Sequence, residues 1–422
     1  MPVKIYKESF VVLNIRMLVL CFFILFRELY ESVQFISLFV SVYLLCEIIF
    51  VNRLNYTSPN LVFNTSWLLI ILFSMFDYSS YYRVLNISTI SIISISLFIF
   101  NIFCSINLGY INKKSDDIKY NNSNLNAIKL VFIFFVLLNI AIAGYIPLIK
   151  LFITGDSGYL DFGMPGLYGL FLAFSNALGI LCFYIYMKTN NKRHLYFYLF
   201  IFLIFILFMT RQNIFSLAIE SFFIYTILKG RIQVVKAMII VTVAIVFFGF
   251  MGSLRSGDIT ELAGVHQKWQ WLPTSFTWIY SYFYFNILNL DNMINYSGAP
   301  FYDNSSLSGL IPSFLRGESS QDYISTLEVI NFNIASYMYP IYADMGRYWL
   351  YSFTAIVAFM TKIYFDRLSK NINFKTLSAC SVLYFCALMS FFVNFWTFLP
   401  IIFQLVFIPI LWGFIRIKER SP

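Results

Sequence analysis

The chain has 422 residues, of which 60% are hydrophobic, 21% aromatic and only 12% charged. A soluble domain carries roughly a quarter of its residues as charges, so half that share excludes an ordinary water-soluble enzyme and points to lipid as the solvent. The net charge of +9 comes from basic residues scattered at the ends of apolar runs. That is a signal of topology, not a nucleic-acid-binding patch.

Apolar runs of about 17–23 residues fit a hydrocarbon core of about 30 Å at 1.5 Å per residue. The first lacks a small-residue cleavage site and reads as a span, not as a removable signal peptide. The pattern predicts an all-α polytopic fold with about twelve spans, near 9–26, 33–51, 61–76, 84–106, 129–150, 166–187, 195–210, 212–228, 234–252, 347–365, 376–394 and 397–416. A nine-span region (1–252), a large polar loop (253–346) and a three-span region (347–422) form one membrane-embedded domain. Within the loop, Trp271–Leu290 is rich in Trp, Tyr and Phe and predicts an interfacial helix covering the spans.

Loop charges set the orientation. With the N-terminus inside, 20 of 29 Lys and Arg fall on the inner side, and thirteen of twenty acidic residues fall outside. Both termini are expected in the cytoplasm, with 253–346 facing outward. The six cysteines, Cys21, Cys46, Cys104, Cys182, Cys380 and Cys386, all lie in apolar runs without metal-ligand spacing. No nucleotide-binding glycine loop, Asp-x-Asp pair or His-Glu-x-x-His is present, so neither a nucleotide-driven pump nor a metal-dependent nucleotide-sugar transferase is expected, and no cofactor is.

Charges near or within the spans carry the candidate chemistry. Arg211 sits at the apex of a tight outward hairpin, and Arg255 follows the ninth span in GSLRSGD, where small residues allow close backbone approach to a ligand. The guanidinium fork matches phosphate oxygens bidentately, so two such groups at a bilayer surface suit a lipid diphosphate. Arg16 and Glu47 lie in the cytoplasmic halves of adjacent spans and read as a structural ion pair. Glu220 is isolated in the eighth span, nine residues or about 13 Å along the helix from Arg211. It reads either as a functional group or as a protonated carboxyl bonded to a neighbouring helix. His266, the outer histidine, offers a general base or a plain solvated side chain. Tyr342, Asp344 and Arg347 at the entry to the tenth span suit sugar hydroxyls and a phosphate, although Asp344 and Arg347 also have the spacing of an i, i+3 helix-end pair.

Three passages, FILFMTRQNIFSLAIE, GFMGSLRSGD and YPIYADMGRYW, with LIPSFLRG in the loop before the last, resemble the Wzy-type oligosaccharide repeat unit polymerases, the O-antigen polymerases of bacterial inner membranes. As architecture the likeness covers nearly the whole chain. It implies a large periplasmic loop and a metal-independent transferase of GT-C-like, membrane-embedded design. Such an enzyme moves a glycan from undecaprenyl diphosphate onto another lipid-linked repeat unit. Arg211, Arg255, Asp344 and His266 are then the expected catalytic residues, and Arg316, Tyr342, Arg347 and Glu220 the expected substrate-binding ones. The implied partners are undecaprenyl-diphosphate-linked oligosaccharides and the bilayer, together with a chain-length regulator and a flippase; nucleic acid is not one. A lipid-linked oligosaccharide flippase and an O-antigen ligase are the competing readings. The long outer segment and charge-poor spans favour the polymerase over the flippase, while His266 keeps the ligase open.

Overall fold

The structure is a computed structural model that describes residues 10–26, 32–105, 119–164, 166–230, 259–302, 305–312, 315, 327–329 and 332–417. The described residues are all-helical, with two isolated β-bridges and no strand. The helices are α1 (Phe10–Phe26), α2 (Val33–Cys46, continued by a π-helical turn Glu47–Val51), α3 (Pro59–Ser74), α4 (Ile87–Phe103), α5 (Asn122–Ala143), α6 (Pro147–Thr154), α7 (Tyr168–Thr189), α8 (Lys192–Leu207), α9 (Arg211–Lys229), α10 (Thr274–Asn295), α11 (Met338–Lys370), α12 (Phe374–Leu388) and α13 (Gln404–Ile415). A short helical turn, Leu399–Ile402, precedes α13.

Among the described residues, three segments are long and apolar enough to cross a membrane: Val33–Val51, Asn122–Thr154 and Tyr168–Thr189. Shorter apolar helices include Pro59–Ser74, Ile87–Phe103, Phe374–Leu388 and Leu399–Ile415. The expected ninth span, 234–252, lies outside the described residues.

Local chemistry sets the helix ends. The Asn86, Asn121 and Asn191 side chains accept backbone N–H groups in the first turns of α4, α5 and α8, satisfying donors that a helix start leaves unpaired. Asn373 and Thr376 form a reciprocal capping box at α12. Where the hydropathy pattern placed one span at 129–150, the structure has two helices. Gly144 takes φ 75 and closes α5, and Pro147 opens α6.

The core forms where α7 packs on α8, α9 and α13, and where α12 packs on α3, α9, α11 and α13. Helix α5 buries only one face, through Leu125, Ile128, Phe132, Val136 and Asn139. Helix α10 falls where an interfacial helix was expected, and it lies across the α3–α4 connection. Tyr78 Oη meets Thr277 Oγ1 at 2.8 Å, and Tyr284 Oη meets the Tyr81 carbonyl at 3.1 Å. Asn289 Nδ2 donates to the Phe332 and Ile334 carbonyls, both at 3.0 Å. The polar edge of α10 therefore satisfies the backbone of neighbouring loops, while its aromatic edge packs on Phe73 and Phe391.

Candidate functional site

Arg211 is the first residue of α9, reached through Met209 in a left-handed conformation (φ 56) with Thr210 at the cap. The turn is tight because Thr210 N–H reaches back to the Phe205 carbonyl at 3.0 Å. The Arg211 side chain is half-buried. Just beyond it Asn213, fully buried, accepts from Asn176 Nδ2 of α7 at 2.7 Å. This amide pair locks the start of α9 to α7 and limits how far Arg211 can move. Arg255, its expected partner, and Arg316 both lie outside the described residues.

Two turns further along α9, Glu220 is fully buried. Its Oε1 accepts from the Ser216 hydroxyl and from Gln404 Nε2 of α13, the latter at 3.2 Å. The Gln404 hydrogen bond links the carboxyl to α13. Glu220 is thus walled in by helices, not open to the surface that Arg211 borders.

The Tyr342–Asp344–Arg347 group is split by the backbone. Within α11, Met345 and Gly346 depart from helical geometry, with Gly346 at φ 72 and ψ −163, a region open essentially to glycine alone. Helical i, i+3 spacing therefore does not relate Asp344 to Arg347. The Asp344 side chain is fully buried and accepts from the Ser306 backbone N–H at 3.0 Å and from its hydroxyl. It anchors the short turn Ser305–Ser308 of the large loop. On the other side of the kink, Arg347 is exposed and lies over the Tyr348 ring, 5.1 Å from its centroid. Tyr342 is half-buried beside the kink.

His266 occupies a separate surface cluster. Its Nε2 lies 2.9 Å from Asp77 Oδ1, Lys268 Nζ donates to Asp77 Oδ2 at 3.0 Å, and Trp269 Nε1 donates to the Asp77 carbonyl at 2.9 Å. The Lys268 ammonium, aided by a lesser contribution from the His266 hydrogen bond, holds the Asp77 carboxyl below the ordinary carboxylate range despite the opposing desolvation, which ranks second among the causes. Backbone pairing of Ser80 N–H with the Gly264 carbonyl at 2.7 Å, and of His266 N–H with the Tyr78 carbonyl at 3.0 Å, brings these two loops together. An aspartate bound to one ring nitrogen fixes the imidazole orientation and leaves the other nitrogen for a reacting proton.

Asp77 was not singled out in the sequence, because a loop aspartate 189 positions from its histidine carries no local signal. The same holds for Asp291, buried on α10, which accepts from Thr89 Oγ1 at 2.6 Å and pairs with Arg83 at 3.3 Å. An acidic residue inside an aromatic, amphipathic stretch was the available hint. Among the described residues no cluster of three or more His, Cys, Asp or Glu has metal-ligand proximity. No family model, no curated protein and no solved structure matches the chain.

Proposed function

We propose that the chain is a membrane-embedded polymerase of undecaprenyl-diphosphate-linked oligosaccharide repeat units, working on the periplasmic face of a bacterial inner membrane with both termini in the cytoplasm. The observation that carries this reading is the placement of Arg211. A guanidinium sits at the first position of α9, whose first turn holds no acidic residue. A helix N-terminus is the positive end of the macrodipole, so a cation there is electrostatically unfavourable by itself. Backbone N–H groups at a helix start and a bidentate guanidinium fork both suit phosphate oxygens, and this supports an anion site there. The resemblance of the three passages supplies the rest: the anion is a lipid diphosphate, and Arg255 would add a second guanidinium.

In this reading the acceptor hydroxyl oxygen attacks the anomeric carbon of the donor glycan. The bond from that carbon to the diphosphate oxygen breaks, and the leaving group carries away the electron pair. Arg211 offsets the charge that grows on the diphosphate; removing one such stabilising group from an active site typically costs about 2.7–4 kcal/mol of transition-state energy. The hydroxyl proton passes to a base. We assign that role to His266, whose ring is held by Asp77, because Asp344 is engaged by Ser306. A single in-line displacement inverts the anomeric carbon.

A strain lacking the chain should make lipopolysaccharide with core plus one repeat unit. Complementation with Arg211→Ala should leave that pattern, and Arg211→Lys should restore only short chains because a point charge cannot replace the fork. Bare core in the deletion strain, or normal ladders from Arg211→Ala, would overturn the proposal. Alkaline phosphatase fused after Asp77 should be active if that loop is periplasmic, and inactive if the orientation is reversed.

A further inference from the structure

Within the bundle, Glu220, Ser216 and Gln404 meet, and their hydrogen bonding is incomplete. Both donors that reach the carboxyl, the Ser216 hydroxyl and Gln404 Nε2, go to the same oxygen, Oε1. Glu220 Oε2 and Gln404 Oε1 are buried and have no hydrogen-bond partner among the described residues. Both side chains are 0% exposed. Among the described residues, the titratable groups facing Glu220 are Tyr198 of α8 and Cys386 of α12. From α9 and α13 the facing polar groups are Ser216 and Gln404, and α7 packs here through Gly179 against Leu217. Among the described residues no Lys, Arg or His pairs with this carboxyl.

A carboxyl buried away from water is either held protonated or, when ionised, paired with or bound to a cation. The oxygen and nitrogen of a glutamine amide occupy nearly equivalent positions and exchange by a half-turn. That half-turn directs Gln404 Oε1 at Ser216 Oγ, which stands 3.3 Å from the amide, and at Glu220. Carboxylate, hydroxyl and amide oxygens then converge, a donor set that suits a hard cation and not a soft one. One carboxylate balances one positive charge; a divalent ion would bury an uncompensated one.

We propose that Glu220, Ser216 and Gln404 form a binding site for a small monovalent cation, sodium, which ties α9 to α13. The site stands apart from the glycan-polymerase reading and survives its failure, because its test does not use polymerisation. The purified full chain in detergent, in choline chloride, is treated with dicyclohexylcarbodiimide, which modifies carboxyls in apolar surroundings, and the modified peptide is mapped. Glu220 should be labelled, and sodium should suppress the labelling while potassium at equal ionic strength does not. Sodium should also raise the thermal unfolding midpoint by a few degrees, and Gln404→Leu should lose both effects while keeping the carboxyl. Glu220→Gln should abolish the label. Labelling that sodium and potassium affect equally, or not at all, would show that the carboxyl holds no more than a proton and would overturn the sodium site. Absence of labelling together with sodium-independent unfolding would overturn it too.

Discussion

Removing one member of the Arg16–Glu47 pair should be among the most destabilising single changes in the chain. Arg16 Nε and Nη2 donate to the two Glu47 oxygens at 2.8 and 2.6 Å, and the side chains are 1% and 3% exposed. Arg16 Nη1 also donates to the Asn101 carbonyl at 2.9 Å and to Ser105 Oγ at 2.7 Å, while Tyr43 Oη donates to Glu47 at 3.0 Å. The pair thus joins α1, the π-helical turn after α2, and α4. Glu47→Gln keeps the shape but strands a guanidinium, and Arg16→Met strands a carboxylate. Either should cost about 3–5 kcal/mol, the loss seen when one partner of a buried pair is removed. The double change Arg16→Met/Glu47→Gln removes both charges together and should cost about as much as one single change, giving a coupling energy of about 3–5 kcal/mol. Unfolding by sodium dodecyl sulfate in mixed micelles, followed by far-ultraviolet circular dichroism, measures all three variants. Single variants that each lose under about 1 kcal/mol, and a double variant that simply adds them, would refute the claim that mutual compensation holds these charges in the bundle.

Asp344→Asn should loosen 305–312 to proteolysis and cost about 1–3 kcal/mol, because the amide replaces one of the acceptors that Ser306 uses. Unchanged stability with lost polymerisation would instead return Asp344 to the role of base. Gly346→Ala should destabilise by about 1–3 kcal/mol, since its φ of 72 with ψ −163 excludes a side chain and the new Cβ would meet Pro300 at 3.3 Å; a thermal midpoint equal to the parent's would contradict this. For Asp77 the carboxyl is held lower in the folded state than unfolded, so its contribution is present above the unfolded value of about 3.9 and disappears as pH falls through the lower folded value. Hydrogen exchange over 263–269, corrected for intrinsic rates, should therefore stay protected down to about pH 3.9, and Asp77→Asn should be unprotected at every pH. Loss of protection already well above that pH would contradict the assignment.

What could be read in the sequence was what one dimension of hydropathy encodes. Helices α7, α8 and α9 fall within three residues of the predicted spans, because each apolar run is bounded by a residue that stops a helix, such as Asn190 at φ 55 or Gly230 at φ 65. The Arg16–Glu47 pair was legible because two opposite charges in neighbouring spans at the same depth have few other ways to be satisfied. Polar helix is invisible to hydropathy: α5 begins at Asn122 and α11 at Met338, each several residues before its apolar run, the first because the Asn121 side chain caps it. The candidate site was least legible, because its geometry rests on contacts between distant segments. Asp344 reads as an exposed helix-end acid until Ser306, 38 positions away, buries it. Asp77 gains meaning only when the 263–266 backbone pairs with 78–80. Arg211 is the exception, since its place at the start of a helix follows from the apolar periodicity on both sides of the turn. A cation at that position is unfavourable on local grounds alone, and a residue that breaks a local rule is where function is first sought.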